Sequence, residues 1–221
     1  MKHLPAFLLA ACSLAVHAQS SCSSDGQPVP AALLERFTNA DCAGCWIDPA
    51  TPKAARGDLA LDWMVPGTKG DDAPMSAVAL QDAATRLQSL GQPVPGVTAF
   101  LPRKPRTASQ PLRVALGQPY NDYIGVSMEF RAATRGPWTA WLVLVETLPA
   151  GTEGSVVERN LVRNALQVEW RRPASGKLVE SRAMSLPEGI KPERLRVAGW
   201  VEDSAGRIGA MAVSACPPPK K

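Results

Sequence analysis

Histidine is nearly missing from this chain. Its 221 residues contain 2, His3 and His17, and both fall in the first eighteen positions. Those positions read as a secretory signal, with a basic start at Lys2 and His3 and an apolar run from Leu4 to Val16. Small or tolerated residues then stand at Val16-His17-Ala18 before a polar exit at Gln19. With that segment removed no histidine remains. That excludes Ser-His-Asp and Cys-His nucleophile pairs, His-ligated zinc, copper or iron, and imidazole acid–base chemistry. A membrane-spanning run is also missing, because a span needs about 20 apolar residues and no stretch reaches that length. Glycine-rich phosphate loops and internal repeats are absent. The formal charge is +4 and falls by one when Lys2 leaves, with acids and bases interspersed. The one dense basic stretch, Arg103-Lys104-Pro105-Arg106, is cut by proline and reads as linker, so nucleic-acid binding finds no support.

Cysteine is what remains to do chemistry. Cys12, in Leu9-Ala10-Ala11-Cys12, offers a competing lipoprotein signal in which it becomes the lipidated N-terminus. Cleavage at Ala18 instead leaves Cys22, Cys42, Cys45 and Cys216, an even number in an exported chain, which favours disulfides. Spacing does not choose among their three pairings. Position points to Cys22 with Cys216 as a staple of the two chain ends, and to Cys42 with Cys45 as a local pair. A site holding zinc on all four cysteines is the alternative, and it requires reduced thiolates in an oxidising compartment. No metal or cofactor is expected.

Leu33 to Thr38 reads as a strand that runs through Asn39-Ala40-Asp41 into Cys42-Ala43-Gly44-Cys45, the strand–turn–CxxC order of a thioredoxin-like unit. At a helix N-terminus, unpaired backbone N–H groups favour the first thiolate as nucleophile, and the second cysteine resolves the mixed disulfide. Asp41 sets a negative charge beside Cys42, and Pro49 and Pro52 shorten any helix beyond Cys45. The bland alternative is a small structural disulfide pinning a loop.

The stretch Ala32 to Trp46 resembles the opening of a secreted thioredoxin-like family whose biochemical role is unassigned. Leu142-Val143-Leu144-Val145-Glu146, Asn160-Leu161-Val162-Arg163-Asn164 and the span Arg196 to Ala212 are similar to the same group. The resemblance implies an α+β fold: a degenerate thioredoxin-like unit followed by an immunoglobulin-like β-sandwich. It gives functional meaning to Cys42 and Cys45. It also implies a cis-proline facing the disulfide, for which Pro95 is the candidate and Pro93 the second choice, and it makes an ion pair between Arg163 and Glu146 an expectation.

Along the chain, Asp58 to Val65 reads as a second strand and Ser76 to Leu90 as a helix ended by Gly91, its apolar stripe facing the core. Period-2 alternation dominates from Leu112 onward, with strands at Ile124–Phe130, Trp138–Val145, Leu161–Trp170, Lys177–Leu186, Arg194–Glu202 and Arg207–Ser214. Turns at 173–176 and 203–206 join neighbours, which suits a sandwich. The expected divisions are signal 1–18, thioredoxin-like unit 19–101, proline-rich linker 102–111, sandwich 112–216 and tail 217–221. Trp138, Trp141, Trp170 and Trp200 read as core rather than as a ligand groove. Glu146 and Glu158 have no visible acid–base partner. The expectation is a periplasmic or secreted thiol–disulfide exchange protein acting on another exported thiol or disulfide protein. Its alternative is a non-enzymatic binding or scaffold protein with two structural disulfides.

Overall fold

The computed structural model describes residues 22–106, 111–132, 136–171 and 176–216. The expected signal, Cys12, the middle of the linker and the tail lie outside the described residues. The strands are β1 (Cys22–Ser23), β2 (Leu33–Asn39), β3 (Leu59–Val65), β4 (Thr98–Arg103), β5 (Leu112–Tyr120) and β6 (Tyr123–Arg131). They continue with β7 (Trp138–Leu148), β8 (Arg159–Trp170), β9 (Lys177–Ser185), β10 (Leu195–Asp203) and β11 (Ile208–Val213). Among the described residues there is one α-helix, α1 (Gln81–Ser89).

The expected α+β fold is corrected by this arrangement. The protein is mostly β, built on a four-stranded sheet, β1-β5-β6-β9, and a seven-stranded sheet, β11-β10-β7-β8-β3-β2-β4. The strands around the CxxC motif therefore do not form a thioredoxin unit beside an independent sandwich; they extend the sheet that also holds β7, β8, β10 and β11. A physical reason lies in β3, whose seven residues are all buried. A strand buried on both faces leaves its backbone groups no water, so it takes neighbours on both edges, and here β2 lies parallel on one edge and β8 on the other.

Each face of the large sheet has its own core. The sandwich face packs Leu142 and Leu144 of β7 with Val197 and Val201 of β10 against Val114, Val126, Met128 and Phe130 of the small sheet. Gly199 permits that approach, since a Cβ there would lie 2.9 Å from Val114 Cγ1 and would also strike Met128. The opposite face packs Phe37, Trp63, Trp141, Val143 and Trp200 against Ala83 and Leu87 of α1. All four tryptophans named from the sequence are buried.

The helix is shorter than its pattern suggests. A 3₁₀ turn occupies Ser76–Val78, and Leu80 is extended, its N–H donating to the Met64 carbonyl at 2.9 Å. That bond docks the chain on β3 before α1 begins. Gly91, with φ of 65°, closes the helix: its N–H donates to Gln88 and that of Gln92 to Leu87, the pattern of a left-handed glycine cap.

The join between β3 and β8 is made chiefly by side chains. One residue pair, Asp62 with Leu161, forms the ladder. Buried Asp62 accepts from Arg36 Nη2 at 2.6 Å, Arg159 Nη1 at 2.9 Å and the Asn160 N–H at 2.9 Å. Two guanidiniums and a backbone donor offset the desolvation of that carboxylate. A second buried cluster anchors α1. Arg86 forks to Glu35 and Glu202, with closest contacts of 2.8 Å to each, and lies 4.9 and 5.0 Å from the rings of Trp141 and Trp200. The two carboxylates hold Arg86 charged more firmly than an ordinary arginine, against the opposing effect of burial.

Candidate functional site

The local cysteine pair hangs from the end of β2. Asn39 ends that strand and organises the turn beyond it. Its backbone N–H donates to Val97, its Nδ2 donates to the Pro95 carbonyl and its Oδ1 accepts from the Asp41 N–H, each at 2.9 Å. The chain then turns, with Cys42 N–H donating to Asn39 and Cys45 N–H to Cys42. Cys42 and Cys45 form a disulfide with Cα atoms 5.5 Å apart. Cys42 is half-buried, whereas Cys45 is only 6% exposed. Of the two residues, Cys42 is therefore the more open to an incoming group.

Two clamps hold this turn. Asp41 accepts from the Thr68 N–H at 2.8 Å, the Thr68 hydroxyl at 2.9 Å and the Lys69 N–H at 3.2 Å. Desolvation pushes the Asp41 carboxyl up, but these donors and the Lys69 charge outweigh it, and the group titrates below its ordinary range. Gly67 is required beneath it, because a Cβ there would run into the carboxylate of Asp41 and the amide of Asn39. On the other side, buried Arg159 donates to the Trp46 carbonyl at 2.7 Å while its guanidinium lies 4.9 Å from the Trp46 ring centre. Arg159 also bonds Asp62, so the turn is tied to the β3–β8 join.

Two site expectations change. Cys42 precedes a four-residue 3₁₀ turn, Ala43–Trp46, and not an α-helix, so a Cys42 thiolate lacks the helix-dipole stabilisation expected for it. Pro95 does not supply a cis peptide: among the described residues that bond occurs at Gly136-Pro137, ahead of β7. The loop bearing Pro95 nevertheless reaches the end of β2 through its bonds to Asn39. Cys22 and Cys216 form the second disulfide, across a sequence separation of 194. Arg163 and Glu146 form an ion pair at 2.5 Å. Glu158 contributes its backbone carbonyl, which accepts from Arg36 Nη2. No cluster of three or more metal-ligating side chains occurs among the described residues.

A cleft of about 650 Å³ opens beside the turn. Ala43, Trp46 and Ile47 form one wall, Met75 and Val78 a second, and β7, β8, the turn at Thr152 and Glu153 and the 189–194 loop the rest. Sequence reasoning had no access to it, since these segments are far apart in the chain. Arg159 was equally hidden, because a buried arginine on a strand looks like a surface charge until its carboxylate partner is placed.

No family model matches the chain, and no curated protein matches it. Among solved structures, the crystal structure of an endonuclease/exonuclease/phosphatase from Beutenbergia cavernae is similar over 53% of this chain and 30% of that one. The identity is 13% and the TM-score 0.28, so it carries no argument about fold or activity.

Proposed function

We propose that this is an exported thiol–disulfide exchange protein in which Cys42 forms the mixed disulfide, with Cys45 leaving when a substrate is oxidised and resolving that disulfide in the reverse direction. The observation that supports it is the unequal exposure of the two sulfur-bearing residues, half-buried Cys42 against buried Cys45. A substrate thiolate attacks Cys42 Sγ, a mixed disulfide forms, and the bond to Cys45 breaks with its electron pair going to Cys45 sulfur. A second substrate thiol then displaces Cys42, so two thiols become one disulfide and the Cys42–Cys45 pair becomes a dithiol. Two disulfides and a signal-like start favour an oxidising compartment. No described helix is long and apolar enough to cross a membrane.

The rival is a binding or scaffold protein in which both disulfides are structural. The clamp of Arg159 on Trp46 favours it, because a turn held on both sides resists the rearrangement that exchange demands. The reduction potential of Cys42–Cys45 separates the two readings. Exchange predicts equilibration with a glutathione redox buffer, whereas a value below about −300 mV marks an inert bridge and ends the proposal.

A further inference from the structure

We infer that the cleft walled by Ala43 and Trp46, the chain neighbours of Cys42 and Cys45, receives a short peptide segment whose cysteine is flanked by acidic and apolar side chains. The inference rests on the exchange reading and adds the class of substrate. Trp46, Leu148 and Leu161 form a buried apolar cluster, with Met75 and Val78 packed against it, and all five line the cleft. Ile47, two residues beyond Cys45, lines it too and is 52% exposed. The apolar surface a ligand can reach is therefore Ile47 with half-buried Met75 and Val78, a patch of a size that one peptide side chain covers.

Charge selects the kind of peptide. Glu146 is already engaged, accepting from Arg163 at 2.5 and 2.9 Å and from the Lys191 N–H at 3.3 Å. Lys191 and Arg194 line the same cleft and make no ion pair among the described residues. Setting the Glu146–Arg163 pair aside leaves two cations against one carboxylate, Glu153. An acidic segment is therefore favoured and a basic one repelled, an effect weakened by salt.

In the reaction, the peptide thiolate bonds to Cys42 sulfur while Cys45 sulfur leaves and takes a proton from solvent. A second peptide thiolate attacks the peptide sulfur of that mixed disulfide. Cys42 leaves as a thiolate and is protonated, giving an oxidised peptide dimer and a reduced protein.

The test uses the full oxidised protein and two cysteine peptides matched in leucine content, one carrying glutamates and the other lysines. At low ionic strength the acidic peptide should reduce Cys42–Cys45 at least about tenfold faster, and the advantage should collapse in about 0.5 M salt. In the Lys191→Glu/Arg194→Glu variant the ratio should invert. A wild-type ratio near one, or a ratio unchanged in the variant, overturns the inference. Reduction of the wild type by a neutral dithiol is measured alongside. Failure of that control under native conditions sinks the exchange reading itself, whereas success with a ratio of one sinks only the peptide cleft.

Discussion

The two disulfides sit in contrasting surroundings. Cys22–Cys216 joins the first described strand to the chain end just beyond β11, and Cys22 belongs to the sandwich core beside Leu116 and Val126. Cys42–Cys45 spans three positions at the end of β2, with Cys42 half-buried and clamps on either side. The first bridge restrains a long chain and touches apolar matter. The second closes a short loop whose residues Ala43 and Trp46 line a cleft. A bridge that contributes little to chain entropy can open without unfolding the protein, which is what a reactive disulfide requires.

Stability measurements probe that contrast most strongly. In the chain-entropy model, removing the long bridge costs about 5 kcal/mol and removing the short one about 2 kcal/mol. Urea unfolding of Cys22→Ser/Cys216→Ser should show the larger loss. If Cys42→Ser/Cys45→Ser loses as much, the short bridge is structural. The clamp on the turn ranks second. Arg159→Met strands the buried Asp62 carboxylate with one guanidinium fewer, and breaking such a pair costs about 3–5 kcal/mol. By contrast, Arg207→Ala should change stability by less than about 1 kcal/mol, because Arg207 is paired with Asp203 at the surface. Equal losses would show that the clamp does not matter.

Alkylation tests exposure directly. After mild reduction, iodoacetamide should label Cys42 at least about tenfold faster than Cys45, followed by peptide mass spectrometry. Equal rates would remove the asymmetry on which the exchange reading stands. A smaller effect is expected from pH. Burial pushes the Glu202 carboxyl up, but Arg86 and Arg103 pull it down by more, so in the folded protein it titrates below its ordinary value of 4.5. A folded value lower than the unfolded one means that its contribution is complete above pH 4.5 and is lost as pH falls through the folded value. Urea midpoints should therefore drop in that window, and less steeply in Glu202→Gln. The smallest effect is expected at Asp41. Asp41→Asn removes a charge beside Cys42 and should raise the reduction potential of the pair by about 10–30 mV; a lower potential would contradict this.

Most strands were legible because alternation and apolar runs encode them locally: β6 alternates along its length, and β7 is apolar on both faces. The ends of α1 were not, because a tertiary bond from Leu80 to Met64 outweighs local helix preference. The cysteines could be found and paired by position. Missing from view were Arg159, the cleft and the trans geometry at Pro95.

What the sequence determined alone was its chemistry and its local periodicity: which residues can react, the absence of histidine beyond position 17, and where chain segments prefer to extend. Only the tertiary structure decided that β2, β3 and β4 would join the sheet of β7 and β8 rather than close on themselves. The reason is that this join depends on buried charges, Arg36, Asp62 and Arg159, from three distant segments. The attraction of both guanidiniums to Asp62 offsets its desolvation only when all three segments are brought together, and no local pattern records that meeting.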